Sequence, residues 1–498
     1  MTRQKRSYAD YVASCAKSNP CLEPLVGLLE HMTTLLPPRI CTVDFQGPEP
    51  CKVAESSLAD VVAHVDSVRS TSGSATSASG RVIIVEDIDA QALQALGGCL
   101  DIDPFFFADY FLTDFQGIEN GPQPPALALL PSRAFARNIV HLHYQDVLRL
   151  EGAAKHDKLE TRTNVKRLLR VPRPLGESQP VFLRGCCSAM LRHFDHGSWI
   201  CLVLVDRDNA ELGFQAKSAS SDPMRLGIVS FQGGPEGFLD HGPFSDWYQR
   251  EDSEVPPNTS LLKSLVWHLE RRRPPGLHAK NPNLVSLVYY PLKEISSKFM
   301  LYVQIIDRYS RFFEYLVERR MNETLDTDIH DLYLWRRRAG QSAAKVGHVI
   351  KFISANMVAE EEVESFGPLL ADYRHVAAGL EANNQILEFV ISLTTAMVQI
   401  SMARQAIAES GNIRRLTYVA LVFAPLGLVA ALLSMSDEFL PGHPKFWVYC
   451  MAAACVVVLV TGVSLVTDST NALHLRGKQF FGRKQSEKGV PLMRQVNV

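Results

Sequence analysis

The chain has 498 residues, enough for about three domains, and a net charge of −2, which gives no basic footprint for nucleic acid. Its hydrophobic fraction of 46% is ordinary overall, because the longest apolar runs are confined to the last fifth of the chain. Ten scattered cysteines form no CxxC pair, so the spacing supports neither a zinc site nor a disulfide framework and implies reduced, packed thiols.

The first 69 residues carry a helical pattern around Leu25, Leu28, Leu29, Met32 and Leu35, halted by Pro37-Pro38, and a second short helix over Leu58–Val68. Ser70–Gly80 is a Ser/Thr/Gly linker by composition. Residues 1–80 are therefore read as an N-terminal extension. Val82–Val85 is a β-branched run and thus a buried strand, followed by a helix over Ala90–Leu100. Ile139–Tyr144, Val181–Leu183, Trp199–Asp206 and Arg225–Phe231 are further predicted strands. Asp195-His196-Gly197 is a hairpin signal before Trp199. Pro122–Pro125 and Pro172–Pro174 mark loops. Residues 81–282 thus form an α/β domain. His141 and His143 share a face of their strand, as transition-metal ligands would, but no third ligand lies near them in sequence.

After Pro282 the strand signal ends, and residues 283–413 become a helical stalk. Tyr289–Glu323, Leu325–Ala355 and Pro368–Asn412 are predicted long helices. In the last, Val376, Leu380, Asn383, Leu387, Val390, Thr394, Met397, Ser401, Arg404, Ala408 and Gly411 alternate at spacings of 4 and 3, a coiled-coil seam. The pattern runs into Leu416 without a proline, predicting one helix of roughly 100 Å at 1.5 Å per residue. Such a helix is natural in a symmetric bundle, and Asn383 would set its register there. Glu360, Glu361, Glu362 and Glu364 precede it as an acidic run. By charge pattern they read as a solvated face or as the partner of the basic run Arg336–Arg338.

Residues 414–467 form a transmembrane hairpin with spans 416–435 and 446–466. The first is 20 residues without a charged side chain, the length that crosses a hydrocarbon core. Its Pro425 and Gly427 are tolerated in a membrane helix. Ser436–Lys445, with Pro441, Gly442 and Pro444, makes a short turn. Arg414 and Arg415 precede the first span, and the basic tail 468–498 follows the second, placing both ends on the cytoplasmic side of a bilayer, with the plasma membrane favoured. Thr417, Ala420, Ala424, Gly427, Ala431 and Ser434 recur at spacings of 3, 4, 3, 4 and 3. This stripe of small residues serves either close helix packing or the lining of a narrow pore. Asp437 and Glu438 follow at the outer end, either as a solvated loop end or, in an oligomer, as a ring of carboxylates that would concentrate cations. No phosphate-cradling loop, nucleophile elbow or His-Glu-x-x-His occurs, so no catalytic residue and no cofactor is assigned.

Arg414-Arg415-Leu416-Thr417-Tyr418-Val419 and Phe423-Ala424-Pro425-Leu426-Gly427 resemble the first span of the CorA family of divalent-cation channels. Ile84-Val85-Glu86-Asp87, Leu100 to Asp109 and Trp335-Arg336-Arg337-Arg338 resemble its fungal branch. The resemblance covers roughly residues 81–475. It implies a homopentamer whose first span lines the pore while the second packs outside it, with Mg²⁺ or another divalent cation as cargo, and it offers Glu360, Glu361, Glu362 and Glu364 as a cytoplasmic cation-sensing site between subunits. It also implies a Gly-Met-Asn ending to the first span, where this chain has Ser434-Met435-Ser436. Serine hydroxyls reach less far than an asparagine amide toward a hydrated ion. A membrane-anchored sensor or scaffold that keeps the fold without transport is therefore the alternative reading.

Overall fold

In a computed structural model, the described residues are 7–45, 51–70, 80–111, 136–151, 158–174, 179–194, 197–216, 227–231, 260–277, 281–319, 326–357, 360–433, 442, 446–448, 450–460 and 462. The chain divides into two units, Met1–Thr394 and Thr395–Val498.

The first unit is built on a ten-stranded sheet. Its strands are β1 (Arg39–Phe45), β2 (Lys52–Glu55), β3 (Gly80–Glu86), β4 (Ile139–Glu151), β5 (Lys158–Thr161), β6 (Leu168–Arg170), β7 (Gln179–His193), β8 (Trp199–Val205), β9 (Phe214–Ala216) and β10 (Gly227–Ser230). The order is β2-β1-β3-β8-β7-β6-β5-β9, with β4 on β7 and β10 on β4. β3 and β8 are parallel; the other pairs are antiparallel. Strand β7 is the hub. One edge carries β4 from Gln179 to Met190, and the other carries β6 near Phe182 and β8 from Ser188 to His193. The uninterrupted apolar runs Val82–Val85 and Trp199–Val205 are buried throughout, as central strands covered on both faces must be. Gly80 lies against Trp199, where a Cβ would stand 1.9 Å from the indole, so this position requires glycine. The expected hairpin closes β7 onto β8: Phe194 N–H donates to Ser198 O (2.9 Å) and Gly197 takes φ 74°. Asp195 and His196 lie outside the described residues.

Helices α1 (Tyr8–Ala16), α2 (Glu23–His31), α3 (Leu58–Ser70), α4 (Ala90–Leu100) and α5 (Pro104–Phe111) share one core with this sheet. Val12, Leu22, Leu25, Val61 and Val65 pack with Ile83, Val85, Ile200, Leu202 and Leu204. The segment set apart by sequence as an extension is therefore part of the α/β core. Its strand β1 pairs with β3 along its whole length, from Arg39↔Glu86 to Phe45↔Gly80. The Ser/Gly run that suggested a boundary falls largely on residues outside the described ones. Helix α4 starts where expected because the Asp89 carboxylate accepts from Ala92 N–H (2.8 Å), and ends where Asp101 takes φ 50°. All ten cysteines are free thiols.

Among the described residues four helices follow within this unit: α6 (Leu261–Arg271), α7 (Leu284–Leu287), α8 (Tyr289–Arg319) and α9 (Asp326–Asn356). Helix α10 spans Glu360–Leu433. It does not begin at Pro368, as the sequence suggested. Phe366, Leu369, Leu370 and Tyr373 are buried on one of its faces, and Tyr373 donates to Leu292 O (2.8 Å). That packing holds the helix through the backbone hydrogen bond that Pro368 cannot make. Val376, Leu380, Asn383, Leu387, Val390 and Thr394 are at most 3% exposed. They are buried within the chain: Asn383 Nδ2 donates to Val303 O on α8 (3.2 Å), and a Cβ at Gly379 would touch Val303. This half of the seam is therefore satisfied in cis. Its polar asparagine needs no second copy, which removes that argument for a bundle.

In the second unit, Ser401, Arg404, Ala408 and Gly411, the later seam positions, are exposed. Among the described residues one helix, α10, is long and apolar enough to cross a membrane, with 22% of its most apolar window buried. A shorter apolar helix, α11 (Phe446–Val460), lies where the second span was expected.

Candidate functional site

The small-residue stripe lies on helical backbone without a break at Pro425. Thr417, Ala420, Ala424, Gly427 and Ala431 are all exposed in the single chain. Thr417 Oγ1 donates back to Ile413 O (2.8 Å), so its hydroxyl is satisfied within the helix. At Gly427 a Cβ would meet nothing within 4 Å among the described residues outside the helix's own backbone. The bulky faces are open too, with Leu416 71%, Phe423 67% and Leu428 62% exposed. A soluble protein rarely presents so much contiguous apolar surface, and lipid or further protein has to cover it. Among the described residues, packing within the chain does not use up the stripe. Ser434, Met435, Ser436, Asp437 and Glu438 lie outside the described residues, as does the turn that follows, apart from Gly442 with φ 105°.

Glu360, Glu361 and Glu362 open α10, their side chains outside what the structure describes, and Glu364 is exposed. The basic run Arg336–Arg338 does not act as one unit. Arg336 pairs with Glu388 (3.0 Å), and the Arg338 guanidinium lies over the Trp335 ring (5.1 Å).

His141 and His143 do share a face, and the fold supplies what sequence spacing could not reveal. Asp109 on α5 lies between them, its Oδ2 3.6 Å from His141 Nε2 and 3.8 Å from His143 Nε2. His141 Nδ1 is 2.7 Å from Ser188 Oγ, which is 3.5 Å from Cys186 Sγ. Among the described residues no group of three or more His, Cys, Asp or Glu side chains is arranged to hold a metal ion. The three side chains are ionisable groups that act on one another. One carboxylate supports one imidazolium, and the two rings divide accordingly. Burial would lower the pKa of His143, but Cys186 and Asp109 offset it and raise it to about 9. Burial pushes His141 down to about 4 against the pull of Asp109. Burial would raise Asp109, yet the two rings hold it below the usual carboxylate range.

The sign of the pH dependence follows. A histidine raised in the folded state contributes stability that is complete below its unfolded pKa near 6.5 and lost as pH rises through about 9. Thermal unfolding of the full chain in detergent is expected to show a stability decline beginning above pH 6.5 that His143→Gln flattens. Parallel curves for the two proteins would remove the assignment.

Residues 266–467 match the family model described as CorA-like Mg2+ transporter protein. Comparison with curated proteins finds no match. Among solved structures, the full-length CmaX protein is 13% identical with a TM-score of 0.38, covering 86% of this chain and 96% of that one. The CorA magnesium transporter from Methanocaldococcus jannaschii is 12% identical with a TM-score of 0.34, covering 85% and 96%. The ZntB cytoplasmic domain from Vibrio parahaemolyticus RIMD 2210633 is 9% identical with a TM-score of 0.26, covering 73% and 97%. The family match begins in α6 and takes in all the long helices and both apolar segments. Through residues 266–467, this chain is similar to the CorA-like Mg2+ transporter protein family.

Proposed function

We propose that the chain is a membrane channel that passes divalent cations, Mg²⁺ foremost, along a conduit lined by Thr417, Ala420, Ala424, Gly427, Ala431 and Ser434. The observation that carries this reading is the exposed small-residue stripe on an apolar helix inside the matched family domain. A single helix encloses nothing, so a conduit requires several copies around an axis, five by analogy with the family. Spans 416–435 and 446–466 form the hairpin, with both termini cytoplasmic. Met435 and Ser436 close the outer end, where the serine hydroxyls accept hydrogen bonds from the waters of a hydrated ion. Asp437 and Glu438 raise the local cation concentration at the mouth. Glu360, Glu361, Glu362 and Glu364 are the candidates for sensing cations inside the cell.

Divalent-cation flux into liposomes carrying the purified protein tests the reading. Wild-type protein should carry Mg²⁺, and Ser436→Asn should increase the flux or its preference for Mg²⁺, because the longer amide restores an acceptor ring closer to the axis. An assembled oligomer without flux, in which Ser436→Asn gains none, would leave the membrane-anchored sensor or scaffold as the function.

A further inference from the structure

Between α2 and β1 the chain is fastened to the carboxyl ends of the two parallel strands. β3 ends at Glu86 and β8 at Val205, and just beyond them Asp87 N–H donates to Val205 O (3.0 Å). Ligands of α/β sheets settle at such strand ends. Here the segment Thr34–Pro38 is bound there.

The binding is recognition of main chain. Asn164, between β5 and β6, grips the segment with its carboxamide. Its Oδ1 accepts from Leu35 N–H (2.8 Å) and Leu36 N–H (3.4 Å), and its Nδ2 donates to Leu36 O (2.7 Å) and Asp87 O (2.9 Å). Arg207, two residues past β8, donates from Nη1 to Pro37 O (3.2 Å). Asn164 is 5% exposed and uses its full hydrogen-bonding capacity in this way. Its own backbone is fixed independently of the segment it holds. Asn164 N–H and Val165 N–H donate to the Asp87 carboxylate (3.3 and 3.0 Å), which Asp87 presents from φ 56°.

The occupant is held by little else. Among the described residues the main chain of Leu35, Leu36 and Pro37 bonds to these two side chains and to no backbone group. Thr34 adds a side-chain bond, its Oγ1 donating to Asp89 Oδ2 (3.0 Å). The side chains stay outside the core: Leu35 is 46% exposed, Pro37 is exposed and Leu36 is half-buried. Pro37 and Pro38 have no N–H and keep the residue before each extended, so neither helix nor sheet ladder claims the segment. A segment tied by hydrogen bonds rather than by burial opens at low cost while the core stays folded.

We propose that Asn164 and Arg207 form a binding site for an extended peptide segment, occupied by the chain's own strap, Thr34–Pro38. The strap detaches without unfolding the sheet and leaves the site to a peptide of the same kind. The site lies outside residues 266–467 and does not depend on ion conduction.

Leu35 and Leu36 carry the only backbone amides between Thr34 and Arg39, so deuterium uptake there reports the strap directly. In the full chain in detergent, both should be protected yet exchange about tenfold or more faster than the amides of β8. Asn164→Ala should speed their exchange by about tenfold or more, the consequence of losing two hydrogen bonds, while β8 keeps its protection. Exchange at the strap no faster than at β8, or unchanged protection in Asn164→Ala, would overturn the proposal. A labelled peptide with the sequence Met32–Ile40 tests the site in trans. It should bind saturably to a chain carrying Leu35→Pro and Leu36→Pro, whose own strap has no N–H to offer. Wild type should bind it about tenfold or more weaker, because the tethered strap competes at high effective concentration. Adding Asn164→Ala should abolish binding, and Arg207→Gln should weaken it and serves alone if Asn164→Ala does not fold. No binding to the Leu35→Pro, Leu36→Pro chain, equal binding to wild type, or binding indifferent to both site variants would each overturn the proposal.

Discussion

Replacing Gly427 by leucine is expected to abolish divalent-cation flux while leaving the oligomer intact. The fold makes this substitution unusually clean. Among the described residues nothing beyond the helix's own backbone lies within 4 Å of the new Cβ, and the position is helical backbone. Leucine is the better helix former by roughly 0.5–1 kcal/mol, so the folded chain should lose no stability. Any large effect must arise where copies face one another. If the stripe lines a conduit, several isobutyl groups converging on its axis fill it, and flux falls to background while the mass in mild detergent is unchanged. If the stripe packs helix against helix, the same groups prevent close backbone approach and the oligomer dissociates. Unchanged flux with unchanged mass would place the stripe against lipid and end both readings.

Replacing Arg167 by methionine is expected to destabilise the α/β unit by about 3–5 kcal/mol, the range for orphaning one member of a buried ion pair. The Arg167 side chain is only 2% exposed. Its Nε and Nη2 donate to Asp206 Oδ1 at 3.0 and 2.7 Å, its Nη1 donates to Tyr110 O at 2.9 Å, and its guanidinium lies 4.8 Å from the Tyr110 ring centre. Asp206 in turn accepts from Tyr110 Oη at 3.0 Å and from Cys186 N–H at 2.7 Å. One arginine thus ties α5, β7 and the end of β8 together. Methionine keeps the volume of the stem but leaves the carboxylate buried and uncompensated. Against a total stability of about 5–15 kcal/mol the loss is a large fraction. Urea titration of the full chain in detergent, followed by tryptophan fluorescence from Trp199, should show the midpoint fall. Arg167→Met combined with Asp206→Asn should recover part of it, because the buried charge is then removed. A loss below about 1 kcal/mol, the scale of an exposed pair, would show that the site is solvated.

The sequence alone determined those features whose physics is local. A run of apolar residues long enough for a hydrocarbon core is visible as length and composition, and α10 and α11 fall there. The β-branched run Val82–Val85 became a central strand, and Asp89 capped its helix, because burial pattern and capping chemistry are written in adjacent residues. The first-span motifs carried the family resemblance, and the family match includes them. Tertiary structure decided whatever depended on which segments meet. Residues 39–45 became a sheet strand because β3 offered an open edge, which no neighbouring residue signals. The seam around Asn383 has the same spacing whether its partner is a second copy or α8 of the same chain, and only packing chose α8. His141 and His143 gained their third group from Asp109, more than 30 positions earlier in the chain. Arg167 and Asp206 are unremarkable where they stand, 39 positions apart in the chain. They become a buried pair because strand register brings them together, and a charge's cost is set by its neighbours in space.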